Sequence, residues 1–188
     1  MSTPDVLSVA VIGAGMAGTT HANAWRQAGT VFDLGLPRVR LRTIADAHPP
    51  LAEDAAQRYG YEQAVDDWRK VAEDPEVDIV SIVVGNALHR EIAETMIRAG
   101  KHVLCEKPLA DTLESARAMA AAEKEADVVT AVGFTTAATL PSPSSPTSSP
   151  EDTSERSTTS TAATGATTAS TRPLPWPGAT RALWAQEP

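Results

Sequence analysis

Val9-Ala-Val-Ile-Gly-Ala-Gly-Met-Ala-Gly18 decides the fold of this chain. The apolar run from Val6 to Ile12 reads as a buried strand, and a helical stretch follows from Met16 to about Gln27. Between them stand Gly13, Gly15 and Gly18, spaced G-x-G-x-x-G. Gly13 permits a tight turn, Gly15 leaves room for a pyrophosphate against the backbone, and Gly18 lets the helix pack close to the strand. The unpaired N–H groups of the helix start (Met16, Ala17 and Gly18) then face the phosphates at its positive dipole end. A glycine triplet alone is weak; placed between a strand and a helix, it points to dinucleotide binding.

Outward from that loop, the same alternation repeats. Val39 to Ala45 reads as a second strand with Asp46 at its end. An acid in that position accepts hydrogen bonds from the adenosine ribose and repels a 2′-phosphate, which favours NAD over NADP. The competing reading makes Asp46 the N-cap of a helix from Pro49 to Arg58. His48 is expected on the cleft rim or in solvent. Tyr61 to Val65 reads as a short third strand, and Asp66 to Ala72 as a short helix with Trp68 and Val71 facing inward. Val77 to Val84 is rich in β-branched residues without clean alternation, as in a central parallel strand covered on both faces. Asn86 is positioned to cap a helix from Ala87 to Ala99, and Gly100 to end it. His102 to Cys105 is a fifth strand, Asp111 to Glu114 a capping-box-like helix start, and Val128 to Val132 the last strand.

This alternation predicts an α/β fold, a doubly wound parallel sheet of Rossmann type with strand order 3-2-1-4-5-6. Ligands in such sheets bind at the carboxyl ends of the strands. Gly13, Asp46, Asn86 and Lys107 all follow strands, so one sheet edge gathers them.

Composition limits the alternatives. The 188 residues carry a formal net charge of −8, which argues against nucleic acid or anionic membrane as partner. No apolar run reaches the length of a membrane-spanning helix. No signal peptide is visible and Cys105 is the single cysteine, so the expected compartment is the cytoplasm. Cys105 reads as a small buried hydrophobe, and His21 as structural.

The stretch Asp78-Ile-Val-Ser-Ile-Val-Val-Gly-Asn-Ala-Leu-His89 and, above all, Ala99-Gly-Lys-His-Val-Leu-Cys-Glu-Lys-Pro-Leu-Ala110 resemble the Gfo/Idh/MocA oxidoreductases. The resemblance covers Val6 to Phe134. It implies hydride transfer between NAD and a sugar, polyol or related hydroxyl compound. It implies Lys107 as the catalytic residue, holding the substrate oxygen or moving its proton, positioned by Glu106 and Pro108. Val84, Gly85, Asn86 and His89 would line the nicotinamide side, and an unusual peptide bond often precedes that proline. Val84-Gly85 departs from the Thr-Pro that many relatives carry before the Asn. Glycine loops after a first strand also serve methyltransferases that use S-adenosylmethionine; the Glu-Lys-Pro triplet speaks against that class.

After Phe134 the composition changes. Residues 135–188 are built mainly from Thr, Ser, Pro and Ala, with Trp176 and Trp184 isolated. Such a segment buries too little apolar area to offset its ordering entropy, and disorder is the expectation. The resemblance implies a substrate domain at this place; the tail reads either as a flexible or O-glycosylated linker or, as a hypothesis, as a frame-shifted remnant of that domain. A nucleotide domain without that cover would expose apolar surface and a sheet edge, leaving an oligomer open and catalysis poor or absent.

Overall fold

The computed structural model describes residues 5–31, 35 and 37–134. The expectations for residues 135–188 and for most of the loop after the first helix lie outside the described residues. Six parallel strands form one sheet in the order β3-β2-β1-β4-β5-β6. They are β1 (Val6–Ile12), β2 (Arg38–Ala45), β3 (Gln63–Val65), β4 (Ile79–Ile82), β5 (His102–Cys105) and β6 (Thr130–Val132). The helices between them are α1 (Met16–Val31), α2 (Pro49–Tyr59), α3 (Arg69–Glu73), α4 (His89–Arg98) and α5 (Leu113–Lys124). The topology and the parallel sense are those read from the alternation.

β1 sits at the centre, and its side chains divide between two cores. Val9 and Val11 pack on one face with Ala22 of α1, Ile44, and Ala52, Ala55 and Ala56 of α2. Ala10 and Ile12 pack on the other with Ile92 and Met96 of α4, Val103, Cys105 and Met119 of α5. Small residues on α2 let that helix lie close to the sheet. Burial pushes the Cys105 thiol up to about 12, so it stays protonated and behaves as a buried hydrophobe.

Several boundaries differ from the sequence reading. α1 continues past Gln27 to Val31. The cap of α5 is Thr112, one residue beyond the expected Asp111: its side chain accepts the Ser115 N–H at 3.1 Å. Asn86 does not cap a helix. It opens a short 3₁₀ turn, Asn86–Leu88, and α4 follows from His89 without a side-chain cap. Gly100 does end α4, with φ +76°, and the Gly100 and Lys101 N–H groups return to the Ile97 and Met96 carbonyls.

Tyr61 lies in the core between α2 and the sheet, and its hydroxyl has no hydrogen-bond partner among the described residues. A buried unpaired hydroxyl is a net liability, and replacing it with hydrogen removes that penalty. Tyr61→Phe is expected to stabilise the fold by about 1 kcal/mol, raising Tm by roughly 4 °C. A thermal melt checks this; a lower Tm would mean the hydroxyl has a partner in solution.

Candidate dinucleotide cleft

The glycine loop is built by three glycines for three different reasons. Gly13 turns the chain with φ +102°, and its N–H donates to the Ala45 carbonyl at 2.7 Å. A Cβ on Gly13 would run into the Val83 carbonyl, and one on Gly18 into the Gly13 carbonyl. Around Gly15, nothing among the described residues beyond its chain neighbours comes within 4 Å of where a Cβ would stand. The intrahelical ladder of α1 starts with the Thr19 N–H donating to the Gly15 carbonyl at 2.9 Å. The N–H groups of Met16, Ala17 and Gly18 precede that ladder, and Met16 and Ala17 are exposed.

Asp46 leaves the end of β2 and turns toward this loop. Its Oδ2 accepts the Ala14 N–H at 2.7 Å, and its Oδ1 accepts the His48 N–H at 2.8 Å. A carboxylate offers about four acceptor positions, so each oxygen retains one for a further donor. The helix-cap reading of Asp46 does not hold. The N-cap of α2 is His48, which makes no side-chain cap, and prolines at the helix start remove N–H groups that would need one.

Gly13, Gly15, Asp46, Val84 and Gly85 line one cleft of about 620 Å³ at the carboxyl ends of β1, β2 and β4. The residues after β3 complete its wall: Asp66, Asp67, Trp68 and Arg69. The Arg69 guanidinium lies 4.3 Å over the Trp68 ring and pairs with Glu91 at 2.7 Å. Sequence reasoning faced Trp68 inward, and it does pack against the core that holds Val71, but that reading gave this segment no part in the site. Its position after a strand, on the same edge as Gly13 and Asp46, was the signal that could have found it.

On the other side of β4, the Glu106-Lys-Pro108 segment leaves β5, and the Lys107–Pro108 peptide is cis. Lys107 and Asn86 are exposed. Glu106 is clamped: Oε1 faces His21 Nε2 at 3.1 Å, and Oε2 accepts the Lys107 N–H at 3.0 Å. His89 is buried and turned inward. Its Nε2 is 3.1 Å from the Val84 carbonyl, and its Nδ1 is 3.1 Å and 3.2 Å from the Pro108 and Leu109 carbonyls. The ring therefore joins the loop that walls the cleft to the loop that carries Lys107. Any effect of His89 on a cofactor passes through those two loops, since its nitrogens already face backbone.

Residues 7–134 match the sequence profile of the Gfo/Idh/MocA oxidoreductases, described as an oxidoreductase family with an NAD-binding Rossmann fold. The chain belongs to this family. Among curated relatives, levoglucosan dehydrogenase of Pseudarthrobacter phenanthrenivorans is 43% identical over 129 residues, covering 68% of this chain and 33% of that one. Myo-inositol 2-dehydrogenase of Thermotoga maritima is 31% identical over 128 residues, covering 68% of this chain and 36% of that one. A solved levoglucosan dehydrogenase in complex with NADH superposes with TM-score 0.65 at 40% identity, over 68% of this chain and 34% of that one. The chain thus spans about a third of the length of the relatives it matches. No helix among the described residues is long and apolar enough to cross a membrane.

For this family member, the loop and cleft fit the dinucleotide that the family fold implies. Gly15 is the test. No packing within the described residues requires a glycine there, whereas a phosphate approaching the backbone would.

Proposed function

We propose that residues 7–134 bind NAD(H) along the carboxyl edge of the sheet and present Lys107 to a hydroxyl group of a sugar, polyol or related substrate. The observation that carries the reading is the open space at Gly15, in a loop whose other two glycines are demanded by backbone packed against them. The α1 N-terminus meets the pyrophosphate with the N–H groups of Met16, Ala17 and Gly18. Asp46 takes the adenosine ribose hydroxyls on its two remaining acceptor positions. Val84, Gly85 and Asn86 border the nicotinamide, with His89 holding their loop against the Lys107 loop. Bound there, the dinucleotide supplies a hydride acceptor or donor. Lys107, whose ammonium no hydrogen bond or ion pair holds among the described residues, places an N–H donor on the substrate oxygen or passes its proton. Glu106 fixes the backbone from which that amine projects. The acidic balance of the chain and its free, buried thiol support a cytoplasmic protein that does not bind nucleic acid.

Titration with NADH and NADPH tests the assignment. NADH is expected to bind more tightly, because a 2′-phosphate would face the Asp46 carboxylate. Asp46→Ala should weaken NADH by about tenfold to a hundredfold, the range for losing hydrogen bonds to a charged group. The same change should narrow the gap between the two cofactors. Equal or tighter NADPH binding by the unaltered chain would overturn the role of Asp46. No binding of either would remove the function proposed.

A further inference from the structure

α1 does two things at once. Its first turn is the cradle at the glycine loop, and one and a half turns further on it touches the segment that carries Lys107. Met16 and His21 are about 7.5 Å apart along the axis, at 1.5 Å per residue. His21 Nε2 lies 3.1 Å from Glu106 Oε1. A carboxylate only accepts, so the Nε2–H donates. The two side chains are 17% and 21% exposed, so the contact is shielded from solvent on most sides.

The Glu106 carboxylate is held from three elements. α1 holds Oε1 through His21. The Lys107 N–H holds Oε2 at 3.0 Å. Beyond β6, Gly133 closes the third side: a Cβ there would press on Oε1 well inside the 3.0 Å that real Cβ atoms keep. Gly133 is itself pinned, its N–H donating to the Cys105 carbonyl at 2.8 Å. The carboxylate is thus tied to α1 at one oxygen and to the backbone of Lys107 at the other, in the space that Gly133 leaves open. The Lys107 amine, by contrast, is exposed.

We infer that His21 is a positioning residue: through Glu106 it fixes how far Lys107 stands from the dinucleotide cradle at the other end of the same helix. The inference rests on the NAD(H) reading above. His21 is not among the residues that line the cleft. It converts one rigid helix into the common reference for both.

The test uses the full 188-residue chain. NADH affinity is measured by nicotinamide fluorescence. Acylation of Lys107 by acetic anhydride is measured by peptide mass spectrometry, with and without saturating NADH. In the unaltered chain, NADH is expected to slow Lys107 acylation at least threefold. In His21→Ala, NADH should bind within threefold of the unaltered affinity, but the protection of Lys107 should disappear. His21→Gln, whose amide N–H can still reach the carboxylate, should restore it. If the alanine variant melts below the assay temperature, His21→Leu replaces it, filling the volume without a donor. Full protection in the alanine or leucine variant, or no restoration by glutamine, overturns the inference and leaves the cofactor reading intact. NADH binding to the unaltered chain without protection of Lys107 overturns it as well. Absence of NADH binding to the unaltered chain overturns the cofactor reading and this inference together.

Discussion

Gly15→Val should abolish measurable NADH binding while leaving the fold as stable as before. The two halves of that statement come from one observation. A Cβ at Gly15 meets no atom of the described residues within 4 Å beyond its chain neighbours, and the backbone there is outside the left-handed region, so a side chain can start there without collision. An exposed substitution of this kind changes stability by no more than about 0.5 kcal/mol. The valine branches would nevertheless occupy the mouth of the cleft at the start of α1, where a pyrophosphate has to approach the main chain. A loss of at least a hundredfold in affinity corresponds to about 2.7 kcal/mol. Fluorescence titration reads the affinity, and a thermal melt reads the fold. Unchanged NADH binding would show that the dinucleotide lies elsewhere, whatever the family. A collapsed melting temperature would show instead that Gly15 has a packing role that the structure does not reveal.

How much of this was readable from the sequence depends on how far apart the interacting residues are. The strand order followed from local signals: β-branched runs, glycine and proline punctuation, and the rule that parallel strands need crossover helices. Of the cleft residues, Gly13 and Asp46 followed from the same order, because topology alone puts strand ends on one edge, Gly15 followed from the glycine spacing, and Val84 and Gly85 were implied only by the family resemblance. What stayed hidden is pairing across long separations. His21 and Glu106 are 85 positions apart, and Asp46 reaches Ala14 across 32. Neither separation leaves a periodic trace. His89 was legible as part of a motif but not as a buried clamp, since the carbonyls it faces belong to Val84, Pro108 and Leu109. The helix-cap expectation for Asn86 failed for a local reason. The chain after β4 winds first into a tighter 3₁₀ turn, with the Leu88 N–H donating to the Gly85 carbonyl at 2.9 Å, and the asparagine is carried inside it. α1 outlasted its expected end because Gly29 and the β-branched Thr30 and Val31 lower helix propensity without breaking the helix.

Gly18→Ala should do the opposite of the Gly15 change and cripple the fold itself. The added methyl would sit on the carbonyl oxygen of Gly13, which is backbone and not the end of a flexible side chain. Gly13 has no freedom to retreat. Its N–H is held by the Ala45 carbonyl at 2.7 Å, its φ is already +102°, and the Val83 carbonyl blocks its own Cβ side. Relief must come from α1 lifting off the sheet. That movement opens the contact of Ala22 with Val9 and Val11 and strains the Trp25 indole N–H, which donates to the buried Ser81 hydroxyl at 2.8 Å. Losses above about 4 kcal/mol belong to this kind of main-chain collision, against a total stability of about 5–15 kcal/mol for an ordinary domain. Gly29→Ala is the matched control. It lies in the same helix, nothing among the described residues outside the helix's own backbone stands within 4 Å of its Cβ position, and alanine in a helix is favoured over glycine by about 1 kcal/mol. Denaturant midpoints should therefore fall sharply for position 18 and rise slightly for position 29. If both alanines left the midpoint unmoved, the close approach of α1 to the β1 turn would not be what holds the cradle in place, and the rigidity assigned to that helix would have to be given up.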